Sequence, residues 1–509
     1  MNTKIYILSF LTALVFTYGC NDFLDEKPSK NTSLVITSID QLEYILNSYS
    51  IFYEESNRAA LYSSDDYGLL PELYDARANS YSVAGVQFAT WDTENLPFDA
   101  RESFWPNEYR KIFHANMIQS YLPRVSGAEE DKARIKSESH LIRALSMWNL
   151  VQTYSLPYTE ANANEPGIVI KESTSFEESY KRSTIKETYD FIEKDIEEAL
   201  KLTNELDVVN NKYRSWRGSK AAANAFAARY WLHRNDYEKA LEYANVALSE
   251  HDAMMNYNTD MRYSSIPSNV TVEGEPVSIL YPYTHDNQSD LTDMMEWKEL
   301  YYFRLMYHES WWYIPSPELL SLYDQENDLR YKYHFVENYS YDRGVTNPPY
   351  EYPGYIFFFK DRIPSGPTVA EMLLTKAEAH ARLDQLAPAL EAVNKLRVNR
   401  IDSNAPNSAI NISASTSEDA LTLILEERRR EMPFSQRWFD IRRFNNNDEP
   451  SDDVGPLTRN FYGYSSSSVT PSTGIVTYTL ESNSRRYAAP IPNTEIESSE
   501  GELEQNIYN

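Results

Sequence analysis

Cysteine is all but missing from this chain: among 509 residues, Cys20 is the only one. A single thiol excludes an intrachain disulfide and any cysteine-based metal site. Glycine is scarce as well, at 14 residues, and no two glycines stand as Gly-x-Gly. That removes the dinucleotide fingerprint and the Walker loop, whose backbones must approach a phosphate closely. The histidines are dispersed without ligand spacing, and His308-Glu309 runs into Trp311 and Trp312 rather than forming a zinc helix. There is no Gly-x-Ser-x-Gly elbow. Positive charge is short: Lys and Arg number 48 against 76 Asp and Glu, for a net charge of −28. Nucleic acid is excluded as a partner, because phosphates require basic tracks. Attachment to anionic lipid through a basic face is excluded for the same reason. Beyond the N-terminus no apolar run approaches the roughly 18 residues of a helical membrane span.

These absences leave little room for catalysis. A pair of glycosidase carboxylates is the one enzymatic option that composition leaves open, and no acidic residue is singled out for it. Two oxygen-rich stretches, residues 286–290 and 448–453, lack the glycine and spacing of a calcium loop. The reading is therefore of a protein that is not an enzyme, with no catalytic residue, cofactor or metal assigned.

What is present begins with residues 1–19, which read as an export signal: Lys4, a short apolar run over 5–16, and Gly19 before Cys20. The position of Cys20 resembles the lipobox of bacterial lipoproteins, which implies acylation there and an anchor in outer-membrane lipid. Residues 20–35, with Asp22, Asp25 and Glu26, make an acidic tether. Tyrosine is abundant at 40 residues. Because a buried phenol needs a hydrogen-bond partner, many of these rings are expected at least partly exposed.

Residues 36–509 are expected to form one mainly α-helical domain. Tyr189, Ile192, Ile196 and Leu200 share a helical face. Ala223, Phe226, Ala227, Tyr230 and Trp231 share another, and after a turn at 234–236 the same period continues through Tyr237, Ala240, Leu241, Ala244 and Leu248. This unit resembles a tetratricopeptide repeat, in which small alanines let two antiparallel helices pack closely. A second copy occupies residues 371–400, with a turn near 383–385, and residues 140–154 with 184–202 form a third, less regular pair. Helix pairs are thus placed at about 131–250 and 368–400, and a C-terminal subdomain at about 401–509. Residues 51–110 and 255–365 are aromatic, rich in Asn, Asp and Pro, and lack sustained period. Long irregular segments of this kind usually bind something. A short hairpin is expected around 475–480.

Four motifs carry a family resemblance. They are Leu141-Ile142-Arg143-Ala144 with Trp148-Asn149-Leu150-Val151; Glu426-Glu427-Arg428-Arg429-Arg430-Glu431 with Gln436-Arg437-Trp438-Phe439-Asp440-Ile441-Arg442-Arg443; Met372-Leu373-Leu374 with Ala377-Glu378-Ala379; and Pro490-Ile491-Pro492 with Gln505-Asn506-Ile507-Tyr508. Taken in chain order they resemble the SusD/RagB family of surface glycan-binding lipoproteins of Bacteroidetes. The resemblance implies a tetratricopeptide-like helical protein, lipid-anchored on the cell surface. It further implies a SusC-like TonB-dependent outer-membrane transporter as partner, to which a nutrient is delivered. That nutrient is expected to be an oligo- or polysaccharide; a peptide or siderophore is the alternative, and a glycan-active hydrolase a further one.

A sugar ring offers an apolar C–H face to an aromatic plane and a rim of hydroxyls to Asp, Asn or Arg. The candidate ligand contacts are accordingly Asp66, Arg77, Tyr81, Trp91 and Asn95 in the first irregular region. In the second they are Tyr283, Trp297, Tyr301, Trp311 and Trp312. Trp105, Trp148, Trp231 and Trp438 lie on periodic helices and are expected to pack. The arginines at 428–430, 437, 442 and 443 alternate with acids at helical spacing, which predicts a self-neutralising network rather than an anion site.

Overall fold

The computed structural model describes residues 36–76, 78–96, 103–175, 177–210, 212–261, 268–272, 275–279, 291–307, 313–336, 352–357 and 362–508. The expected signal segment, Cys20 and the tether lie outside the described residues.

A short helix α1 (Ile39–Asn47) leads through α2 (Arg58–Ser63), α3 (Pro71–Ala76) and α4 (Val83–Ala89) into the long helices α5 (Phe104–Tyr121) and α6 (Glu129–Tyr154). Next come α7 (Ile185–Ala199), α8 (Lys220–His233) and α9 (Tyr237–Glu250). After the second irregular region follow α10 (Val369–Arg382), α11 (Leu386–Arg397), α12 (Ser417–Glu431) and α13 (Arg437–Phe444). A hairpin (Leu457–Tyr464 with Val469–Leu480) and α14 (Asn493–Ser498) end the chain. The fold is mainly α, as expected, with few strands. Glu54–Glu55 runs parallel to Leu305–Tyr307, which pairs antiparallel with Arg362–Pro364, so the two irregular regions meet in one small sheet.

The tetratricopeptide-like packing follows from the alanines. In α8, Ala221, Ala222, Ala223, Ala225, Ala227 and Ala228 are all buried, and α9 answers with Ala240, Ala244 and Ala247. Side chains this small let the two axes come close. The turn is made by Asn235 in the left-handed region (φ +59°), a conformation asparagine tolerates. Asp236 then caps α9, its carboxylate accepting from the Lys239 amide at 3.0 Å. The second pair uses the same device: Asp384 (φ +56°) stands between α10 and α11. Helices α9 and α10 pack together, and α12 covers α10 and α11.

Helix α6 is the axis of the N-terminal half. From residue 137 to its end every side chain is buried, so its polar groups must be paired within the protein. Glu138 accepts both Nε and Nη2 of Arg217 (2.6 and 2.7 Å) and the Gly218 amide at 2.8 Å. Arg143 bridges Asp195 on α7 (2.8 Å) and Asn116 on α5 (2.7 Å). Asn149 donates to Glu55 at 2.8 Å. The motif residues of this helix are therefore structural joints between its neighbours.

The C-terminal motif locks the last residues onto the same helix. Asn506 Nδ2 donates to the Tyr154 and Ala489 carbonyls, both at 2.9 Å, and Gln505 bonds the backbone of Ile491 in both directions.

Many tyrosines of the described residues are half-buried or exposed, as expected, Tyr44, Tyr180 and Tyr462 among them. Others, including Tyr67, Tyr230, Tyr257, Tyr301, Tyr302, Tyr313 and Tyr323, are buried. Buried hydroxyls find partners inside, as Tyr323 does on the Arg430 carbonyl (2.7 Å) and Tyr257 on His334 Nε2 (2.9 Å). One expectation needs correction: residues 51–110 contain α2, α3 and α4, helices of six or seven residues. Elements this short complete too few turns to show a period.

Candidate ligand-binding surface

The arginine-rich motif is neutralised, mostly by partners distant in sequence. Arg443 forks onto Glu378 of α10 (2.5 and 2.7 Å) and reaches Asp440 at 2.9 Å. Arg428 donates to Asp440 at 2.8 Å. Arg429 reaches Asp66 at 2.7 Å, and Arg437 grips both oxygens of Asp65 at 2.7 and 2.8 Å. Pairs within one helix are the minority, Arg430 with Glu427 among them. Burial pushes the Glu378 carboxyl up, but Arg443 and Arg382 outweigh it and hold it at about 2. Arg442 departs from the expected pattern. It donates to the carbonyls of Tyr487 and Ser155 instead of an acid, and burial pushes its guanidinium down to about 10.

Six of the candidate ligand contacts lie in the described residues, and burial removes five of them from a ligand-facing role. Asp66 is fully buried and accepts from Arg429 and from the Phe434 amide at 2.9 Å, so it is a docking post for the C-terminal helices. Tyr81 is buried, its hydroxyl donating to the Gly68 carbonyl (2.9 Å) and accepting from the Leu70 amide (3.0 Å). Trp91 is 3% exposed and donates Nε1–H to the Ser63 carbonyl at 3.0 Å. Trp297, also 3% exposed, meets Phe357 and Tyr257 edge-on. Tyr301 is buried, with its hydroxyl on the His251 carbonyl at 2.6 Å. A ring enclosed in this way has no face to offer a sugar. Asn95 alone is half-buried, its amide donating to Asp92 at 2.7 Å. Arg77, Tyr283, Trp311 and Trp312 lie outside the described residues. Trp105, Trp148 and Trp438 are buried as expected.

The half-exposed aromatic surface lies instead where the first irregular region meets the C-terminal hairpin. Leu457, Arg459 and Phe461 alternate inward along the first strand. Beyond Phe461 the register shifts between Tyr462 and Gly463, and Tyr462, Tyr464 and Tyr478 remain half-exposed. Tyr464 and Tyr478 stack with centroids 5.8 Å apart and 24° between planes. The Tyr464 hydroxyl meets Thr90 Oγ1 at 2.5 Å, at the end of α4. Tyr478 donates to the Tyr462 carbonyl at 3.1 Å, and Tyr462 to Asp75 at 2.8 Å. Tyr74 adds a fourth half-exposed ring, 5.8 Å from Tyr462. Burial and the Asp92 carboxylate raise the phenols of Tyr464 and Tyr478 above their usual range, so both stay protonated donors. Asp92 is the residue that Asn95 bonds, which brings one expected contact to this surface.

Chemically the surface offers half-exposed flat rings and, beside them, carboxylate and amide groups within reach of solvent. None of the four tyrosines was singled out from sequence. The available signal was the Phe461-Tyr462-Gly463-Tyr464 alternation, with Tyr478 at strand spacing beyond a turn.

A cleft of about 1100 Å³ lies between α1, α6, α7 and residues 203–219. Arg217 in it is paired with Glu43 and Glu138, and no aromatic ring lines it. Among the described residues no helix is long and apolar enough to cross a membrane, and no group of three His, Cys, Asp or Glu is placed to hold a metal ion.

The architecture defines a class first: an α-helical scaffold of tetratricopeptide-like pairs with an aromatic hairpin laid against its irregular N-terminal segment. Comparison then gives the family. Residues 22–232 match a SusD-like model described as starch-binding and associating with the outer membrane, and residues 369–508 match the SusD family model. SusD-like protein P2 of Formosa agariphila is 23% identical over 483 residues, covering 86% of this chain and 90% of that protein. A SusD superfamily protein from Bacteroides vulgatus superposes with a TM-score of 0.63 at 17% identity, over 92% of this chain and 99% of the other. A laminarin-binding SusD-like protein superposes with a TM-score of 0.55 at 16% identity, over 92% and 99%. The chain belongs to the SusD/RagB family.

Proposed function

We propose that this protein captures a glycan at the outer-membrane surface, non-covalently and without cleaving it, and passes it to a TonB-dependent transporter. The observation that carries this reading is the half-exposed tyrosine surface at Tyr74, Tyr462, Tyr464 and Tyr478, in a chain of the SusD/RagB family. Aromatic faces contribute stacking against sugar C–H groups, while Asp75, Asp92 and Asn95 supply hydrogen bonds to hydroxyls. A laminarin-binding protein among the structural neighbours supports a β-glucan as the first ligand to test. Acylation of Cys20 would hold the protein beside its transporter, so that weak binding suffices at high local concentration.

The test is affinity electrophoresis of the full chain in detergent against laminarin, starch and other neutral polysaccharides, with analysis for released sugars. Retardation by one glycan class, abolished in Tyr464→Ala and Tyr478→Ala with no product formed, supports the reading. Retardation that persists in both variants, or release of oligosaccharides, refutes it.

A further inference from the structure

Away from the hairpin, α5, residues 169–180 and α14 with the turn after it enclose a separate hollow of about 300 Å³. One wall is set by helical spacing: Trp105, Tyr109 and Phe113 stand four residues apart on α5. The Trp105 and Tyr109 rings lie 5.0 Å apart, and the Tyr109 hydroxyl donates to the Val169 carbonyl at 2.8 Å. Asn116 donates to the carbonyls of Lys171 and Ser173 at 2.9 and 3.1 Å, pinning the opposite wall. Tyr180, 38% exposed, stands on that wall.

One ammonium, that of Lys171, stands here against two carboxylates, those of Glu178 and Glu495. Lys171 is committed: its ammonium donates to the Glu178 and Ser179 carbonyls at 2.7 and 3.0 Å and lies 4.2 Å from the Tyr180 ring centroid. Glu502 is committed as well, accepting from Ser179 Oγ and the Tyr180 amide. Glu178 and Glu495 both line the hollow, and among the described residues neither carboxylate accepts a hydrogen bond. Oε2 of Glu178 is buried with no partner. Burial alone shifts Glu495, pushing its carboxyl up. Lys171 attracts Glu178 through space without donating to it, so two carboxylates with one ammonium leave a net negative charge in an aromatic space, a cost relieved by a cation or a strong donor.

We propose that this hollow binds a protonated amine carried on a compact ring or apolar stem, its ammonium received by Glu178 and Glu495 and its body by Trp105, Phe113 and Tyr180. The aromatic walls favour the cation directly as well as its apolar body. The volume suits one monosaccharide or one side chain. An amino sugar and a basic amino acid share this chemistry.

The test is saturation-transfer NMR on the full chain in detergent, titrating glucosamine, glucose and lysinamide. At least one amine is expected to bind tenfold or more tightly than glucose. Glu178→Gln and Glu495→Gln should each weaken that amine by about tenfold, the scale of a charge-assisted hydrogen bond. Both substitutions are isosteric at carboxylates without partners, and an unchanged thermal melt verifies the fold. Phe113→Ala should weaken the amine, and Tyr464→Ala should not. Preference for glucosamine assigns the hollow to amino sugars; preference for lysinamide assigns it to basic side chains. Equal binding of glucose and both amines, absence of amine binding, or unchanged affinity in both glutamine variants overturns the proposal.

Discussion

The buried junction between residues 65–66 and α12–α13, and the hairpin rim a few residues away in sequence, are made from similar materials. Both combine acidic side chains with aromatic and polar neighbours. At the junction every named carboxylate is matched from within: Asp65 by Arg437, Asp66 by Arg429 and the Phe434 amide, Glu378 by Arg443 and Arg382. At the rim Asp75 and Asp92 are paired with phenols and an amide and still face solvent, and the tyrosine faces stay partly open. Composition does not distinguish a joint from a surface that can receive a ligand. Enclosure does.

The largest effects that would test this contrast belong to the joint. Trp91→Ala should lower stability by about 3–5 kcal/mol, the cost of emptying a core aromatic site, as read by urea unfolding. A platform tryptophan would instead lose binding with stability intact. Glu378→Gln should cost about 3–5 kcal/mol, because Arg443 is then left buried with its charge poorly matched.

Acid should weaken the protein in two overlapping windows. His334 is buried and burial holds its imidazole down at about 3, against an ordinary value of 6.5. Its contribution is fully present above pH 6.5 and is lost as pH falls toward 3, because the unfolded chain takes up the proton first. Glu378, held at about 2, contributes above pH 4.5 and is lost as pH falls toward 2. Denaturant midpoints measured from pH 7 to pH 3 should therefore decline in both ranges. His334→Asn should make the upper decline shallower and spare the lower, the buried His233 keeping the remainder.

The smallest expected effect falls on the rim. Tyr464→Phe deletes the hydroxyl on Thr90 and keeps the ring. It should lower stability by about 1 kcal/mol and leave glycan affinity within about threefold, measured by calorimetry. Loss of binding on this change would assign recognition to the hydroxyl rather than to stacking.

The sequence made some of this legible and hid the rest for physical reasons. The helix pairs were readable because Ala240, Ala244 and Ala247 repeat with the period of the face they bury, against an alanine-rich helix that is buried all round from 221 to 230. The arginine motif was readable as self-neutralising, yet its partners Asp65 and Asp66 lie more than 360 residues away, beyond any spacing rule. Trp91, Trp297 and Tyr301 were misread as exposed because aperiodic segments give no sign of which rings turn inward. Trp91 sits at φ +54°, a bend that no neighbouring residue announces. The tyrosine surface went unseen because Tyr74 meets Tyr462, and Thr90 meets Tyr464, only through folding.

The clamp of Asn506 on Tyr154 and Ala489 has a consequence in time as well as in space. Helix α6 completes its contacts only when the final residues reach it, and Asp65 and Asp66 likewise wait for arginines made near the end. During synthesis the first two-thirds of the chain thus carries unmatched charges and an uncovered helix end, and closure of such distant contacts is slow. A ribosome paused before codon 429 would leave Asp65 and Asp66 without the guanidiniums that match them.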